Sequence, residues 1–171
     1  MKKALLGVIF CLLVNCSLKH TKVDEGSIFE RDSTLLSISK LIADSNYQKA
    51  IAYLDSMEII YDDPQIPFLH GFASYIDGDS CSARKFFNLA IDKYDEIIIK
   101  NPNIYDAINR AFCFLFTEGE EGYRQQLKIL ELTYNHKDEI DRINFFYNLR
   151  LEDVISDMLN DFKYSTIEQK K

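Results

Sequence analysis

Glycine and proline are scarce in this chain of 171 residues, at six and three. An all-β chain studded with tight turns would need more of both. Histidine is scarce too, and His20, His70 and His136 stand apart. No His-x-x-x-His pair and no cysteine at ligand spacing accompanies them, so no zinc-type constellation is present. The sequence also lacks a Gly-x-Ser-x-Gly elbow and a glycine-rich phosphate loop. Glu118-Gly119-Glu120-Glu121-Gly122 contains glycine, but its acidity would repel phosphate. Asp77-Gly78-Asp79 lacks the remaining ligand positions of a calcium loop and reads as a turn with a capping oxygen. Carboxylates are abundant, yet none is marked as a catalytic pair; most read as solvated helix faces. The expectation is a non-enzyme without cofactor or metal. Positive charge is short as well, with 20 Lys and Arg against 27 Asp and Glu, a net charge of −7. Leaving out Lys2 and Lys3 takes it to −9. Such a chain is unsuited to nucleic acid, which needs a positive surface. No apolar run reaches the ~20 residues that cross a bilayer; Ala4 to Val14 supplies eleven.

What the chain has is a hydrophobic fraction of 47% and 12 Phe plus 10 Tyr, enough to bury a core. It also has an organised N-terminus. Met1-Lys2-Lys3 is basic, Ala4 to Val14 is apolar, and Leu13-Val14-Asn15-Cys16 ends the run at a cysteine. These are the parts of a bacterial secretory signal. The final four residues resemble the lipobox of bacterial lipoproteins, with Leu13 three places and Val14 two places before the cysteine. Asn15 departs from the small residue usual there. The resemblance implies residues 1–15 as a signal peptide, and Cys16 as the lipidated first residue of the mature chain. It also implies a cell-envelope address. Ser17 rather than Asp after the cysteine implies the outer membrane, facing the periplasm. Residues 16–27 are polar and aperiodic and read as a tether.

From Ile28 onward the apolar residues fall at helical spacing, with no sustained period-two alternation. Leu35, Ile38, Leu41 and Ile42 form one stripe, and Ala50, Ile51, Leu54 and Met57 the next, with Ser45-Asn46 between them. Asp63-Pro64 and Asn101-Pro102 each place a capping side chain before a proline in a first helical turn. The spacing predicts helices near 28–44, 47–61, 64–77, 80–100, 102–117, 121–134 and 138–162, with a possible break in the last near Asn148. The fold class is all-α. Asp106 and Arg110, four apart, read as a surface pair.

The helices come in pairs. The run HGFASYIDGDSCSARKFFNLA, residues 70–90, resembles the tetratricopeptide repeat, a unit of two antiparallel helices in about 34 residues. Gly71 and Ala83 match the small residues that let the two helices approach. Gly78 matches the turn, Phe87 the large residue of the second helix and Ala90 the small one after it. Weaker matches center on Ala50, with Ser45, Leu54 and Met57, and on Tyr123, with Ala111, Leu127 and Leu130. The resemblance implies three such pairs over 28–135, stacked as a short solenoid. Residues 136–163 would form a C-terminal capping helix or helices, and 164–171 a polar tail. Stacked repeats leave end faces that need covering.

In that family the first helix of each pair lines a concave groove. Here the matching positions include Phe68, Phe72 and Tyr75 in the second pair, and Tyr105, Phe112 and Phe116 in the third. A groove of this kind suits an amphipathic helix or an apolar peptide. Aromatic residues at helical spacing are also the ordinary content of a core, and both readings stay open. Cys81 and Cys113 are the cysteines beyond the signal and lipobox, and the sequence leaves open whether they are bridged. Two functions are compatible with these features. One is a lipid-anchored, non-enzymatic helical-repeat protein that binds a protein or peptide partner. The other is a periplasmic immunity-type lipoprotein, whose acidity would suit a basic secreted toxin.

Overall fold

The computed structural model describes residues 25–168, with side chains from 30 to 163. The signal segment 1–15, Cys16, the tether as far as residue 24 and the last three residues of the tail lie outside the described residues. Among the described residues there are eight α-helices and no strand. They are α1 (Glu25–Ala43), α2 (Tyr47–Ile60), α3 (Gln65–Ile76), α4 (Ser80–Lys100), α5 (Ile104–Thr117), α6 (Gly119–Thr133), α7 (Lys137–Phe146) and α8 (Leu151–Glu168).

Short turns fold each helix from α2 to α6 back on its predecessor. Contacts nest around every turn: Arg31 with Asp63, then Asp55 with His70, then Asp62 with Lys93 outside Phe68 with Phe87. They continue with Phe87 and Phe116 outside Asp95 and Arg110, and with Arg110 and Gln126 outside Phe112 and Tyr123. Only antiparallel neighbors give such nesting. The turns between α1 and α2, α3 and α4, and α5 and α6 therefore lie at one end. The start of α1 and the C-termini of α2, α4 and α6 lie at the other.

The turn chemistry explains where the helices begin. Gly78 has φ of +89°, a conformation that glycine adopts without a Cβ penalty. Asp79 then caps α4 by accepting from the Ser82 backbone N–H. Asp63 acts as expected, its Oδ1 accepting from the Gln65 N–H at 2.9 Å. The device at Asn101-Pro102 works differently. The helix starts two residues later than the spacing predicts, because Asn103 accepts from the N–H groups of both Tyr105 and Asp106. The segment 138–162 is two helices, α7 and α8, separated at residues 147–150 beside Asn148.

Packing is close around Phe87. A Cβ added at Gly71 would lie 3.0 Å from three atoms of its ring, so glycine is what lets α3 sit against that ring. Phe68 meets Phe87 edge-on at 5.6 Å, and Phe116 stacks on it at 4.5 Å. Burying a side chain of this size contributes ~1.5–3 kcal/mol relative to leaving it exposed. At the C-terminal end, Val154, Met158 and Phe162 recur every four residues and are all buried. This stripe lets α8 pack back against α1, whose Leu35, Ile38 and Ile42 are buried in the same core. Phe162 reaches Phe72 of α3, with ring centroids 6.0 Å apart.

Candidate functional site

The six aromatic residues expected to line a groove separate into two environments. Phe68, Phe72 and Phe112 are interior. Phe116 is half-buried at the center of a cluster, edge-on to Phe68, Phe72 and Tyr75 at 6.3, 5.9 and 5.3 Å. Phe112 lies in a second cluster, stacked on Tyr123 and edge-on to Phe146 of α7. A surface lined by all six is therefore not open in this fold; Phe162 of α8 occupies the approach to Phe72. Tyr75 and Tyr105 remain accessible at the rims of two depressions.

The depression at Tyr105 has a volume of about 410 Å³ and lies between α5 and α7. Ile108 and Phe146 form its floor, and both are buried. Its rim carries the exposed Phe145, the carboxylates of Asp138 and Asp141, and Arg142. The Arg142 guanidinium sits 4.8 Å from the Tyr105 ring centroid, a cation–π arrangement that fixes a positive charge beside an apolar floor. The Tyr105 register position was visible in the sequence, whereas Arg142 and Phe145 come from the segment expected to cap the fold. Their amphipathic pattern carried no signal of which pair they would face.

The second depression, about 540 Å³, lies where α8 begins, and is lined by Tyr75, Glu120, Arg124, Arg150, Leu151, Glu152 and Ile155. Arg124 is held by Glu120 at 2.8 Å, and Arg150 lies 3.6 Å from Glu152, so its charges are largely answered locally.

Other polar groups bind the helices to one another. Arg31 donates to the buried Asp63 at 2.7 Å, tying α1 to the turn before α3. The sequence held no signal of this pair, which joins residues 32 apart. Arg110, expected beside Asp106 on the surface, donates to Asp95 at 2.6 Å and to Gln126 at 2.8 Å, joining α4, α5 and α6. Cys81 is exposed, Cys113 is buried, and both are free thiols. Burial pushes the Cys113 thiol well above its ordinary range, which keeps it protonated. His70 is buried against Phe86, its ring stacked at 3.4 Å with Nδ1 3.8 Å from the Asp55 carboxylate. Burial pulls its pKa down, against the opposing pull of Asp55.

Among the described residues no group of three His, Cys, Asp or Glu could hold a metal ion. Among them, too, no helix is long and apolar enough to cross a membrane. Compared with known proteins, the chain matches no family model, no curated sequence and no solved structure.

Proposed function

We propose that the chain is a lipid-anchored, non-enzymatic helical-repeat protein that holds a protein or peptide partner at the bacterial cell envelope. In this reading Cys16 carries the lipid at the outer membrane and the domain faces the periplasm. The three antiparallel helix pairs α1–α2, α3–α4 and α5–α6 form a short tetratricopeptide-like solenoid, and α7 and α8 cap it. The nested antiparallel contacts and the close approach at Gly71 support that architecture.

The observation that carries the binding reading is the depression at Tyr105. It combines an apolar floor, an exposed aromatic ring on Phe145 and a rim where an oriented guanidinium stands with the carboxylates of Asp138 and Asp141, a mixture that serves as an anchor for a partner's apolar side chain flanked by polar groups. Phe72 would join such a surface only if α8 moved away, and Phe112 only if α7 did.

Two measurements test the proposal. Metabolic labeling with a fatty-acid probe is expected to mark the wild-type chain and to leave Cys16→Ala unmarked. Label on the variant, or a mature mass that retains residues 1–15, would remove the anchor. Photo-crosslinking residues placed at Tyr105 and Phe145 are expected to trap a discrete partner in intact cells. The same probe at Arg84, on the exposed face of α4, should trap none. Equal adducts at all three positions would remove the binding site.

A further inference from the structure

Most of the exposed large aliphatic side chains of this fold gather at one end. Ile59 and Ile60 close α2 at 88% and 69% exposure, Ile99 closes α4 at 81%, and Leu132 closes α6 at 81%. The antiparallel order of the helices puts these three C-termini together at the end where α1 starts. Half-buried Tyr61 and Tyr134 follow α2 and α6 there, residues whose ring and hydroxyl suit a boundary between apolar and wet surroundings. The opposite end is polar and acidic, with Asp44, Asp77, Asp79 and Glu118 at its turns. The aliphatic end carries carboxylates too: Asp62 and Glu96 are answered by Lys93 and Lys100, while Glu131 and, in the first turn of α7, Asp138 and Glu139 lie there as well.

The chain leading into the domain selects the occupant. Cys16 is nine residues from Glu25, where α1 begins at the aliphatic end. Even fully extended, nine residues span at most ~32 Å. That is about the length of the 19-residue α1 itself at ~1.5 Å per residue, so at any shorter extension the end where α1 starts is the one an anchor on Cys16 keeps nearest the bilayer. Isolated exposed aliphatic residues are ordinary on a protein surface, but a set confined to the tethered end is a directional feature.

We infer that the end bearing Ile59, Ile60, Ile99 and Leu132 is a membrane-facing surface that rests in the headgroup region of a zwitterionic bilayer, with the helix axes raised from the membrane and the acidic turns pointing away. This rests on the anchored reading above. Side chains at this depth add apolar contact to the lipid anchor without crossing the bilayer. The net negative charge of the chain disfavors a strongly anionic surface, which is why the lipid is taken to be zwitterionic.

The chain contains no tryptophan, so single reporters can be introduced without background. The full chain carrying Ile60→Trp or Leu132→Trp is purified from membranes and reconstituted into phosphatidylcholine vesicles whose acyl chains are brominated. Lys49→Trp, exposed at the start of α2, reports on the opposite end. Loss of emission is expected for the first two reporters and not for the third. Equal quenching at both ends, or none at Ile60 and Leu132, would overturn the inference. Absent quenching together with sedimentation as a dimer would assign this end to a second copy instead. The mass of the same preparation reports separately on the anchor. A chain without lipid on Cys16 refutes that reading, while the quenching pattern still decides the orientation.

Discussion

At the scale of single residues, His70 shows how burial converts into a pH dependence. Its ring is 2% exposed and flat against Phe86. The charges nearest it are Asp55, which favors the imidazolium, and Lys85, which opposes it. Burial, reinforced by Lys85, outweighs Asp55 and lowers the pKa from its ordinary 6.5. The native state thus binds this proton less readily than the unfolded chain does. His70 leaves stability intact above the unfolded value and erodes it as the pH falls through that value toward the lower native one. Urea midpoints at pH 7.5 and 5.5 are expected to show a loss on acidification that His70→Gln reduces. The variant loses the ring stack and starts from a lower midpoint, so the informative quantity is the difference between the two pH values. An unchanged difference would mean that His70 titrates alike in both states.

At the scale of elements, α8 is the piece whose role follows most directly from a few side chains. Phe162 fills the approach to Phe72, and Val154 and Met158 continue the same stripe. Phe162→Ala is expected to cost ~3–5 kcal/mol, the range for truncating a buried aromatic. It should also expose the interior to a hydrophobic dye below the main unfolding transition. A midpoint within error of wild type would show that α8 does not cover Phe72 in solution. The existence of these helices was legible in the sequence, because the 3.6-residue stripes and the turns at Ser45, Gly78 and Glu118 are local signals. The two-residue offset at α5 was less so, since Asn101 and Asn103 are both competent caps and only the surrounding packing selects between them. The path of α8 was not legible. A stripe at i, i+4 and i+8 says that one face is buried but carries nothing about its partner. For the same reason Phe68, Phe72 and Phe112 could be read as groove or as core, and the fold places them inside.

At the scale of the whole molecule, the contact between α1 and α8 changes how the protein should come apart. An open array of repeats has only nearest-neighbor contacts, so it frays from its ends and can unfold in parts. Here the first and last described helices pack together, and one continuous core runs from Leu35 to Phe162. Arg31 adds a buried ion pair between α1 and the α2–α3 turn. Loss of α1 would therefore uncover α8 as well as α2, and the two ends should be lost together. Leu35→Ala removes a buried side chain from α1 and is expected to destabilize by ~2–5 kcal/mol. Amide hydrogen exchange then reads the consequence. Protection should fall in α1 and in α8 by similar amounts, and urea unfolding followed by circular dichroism and by tyrosine fluorescence should give one midpoint. If α1 alone lost protection while α8 kept its own, the two ends would be independent and α8 would be held by the middle of the molecule. The distinction bears on binding, because a partner that needs the buried aromatic face must displace α8. With α1 tied to α8, opening that face would also uncover the first helix.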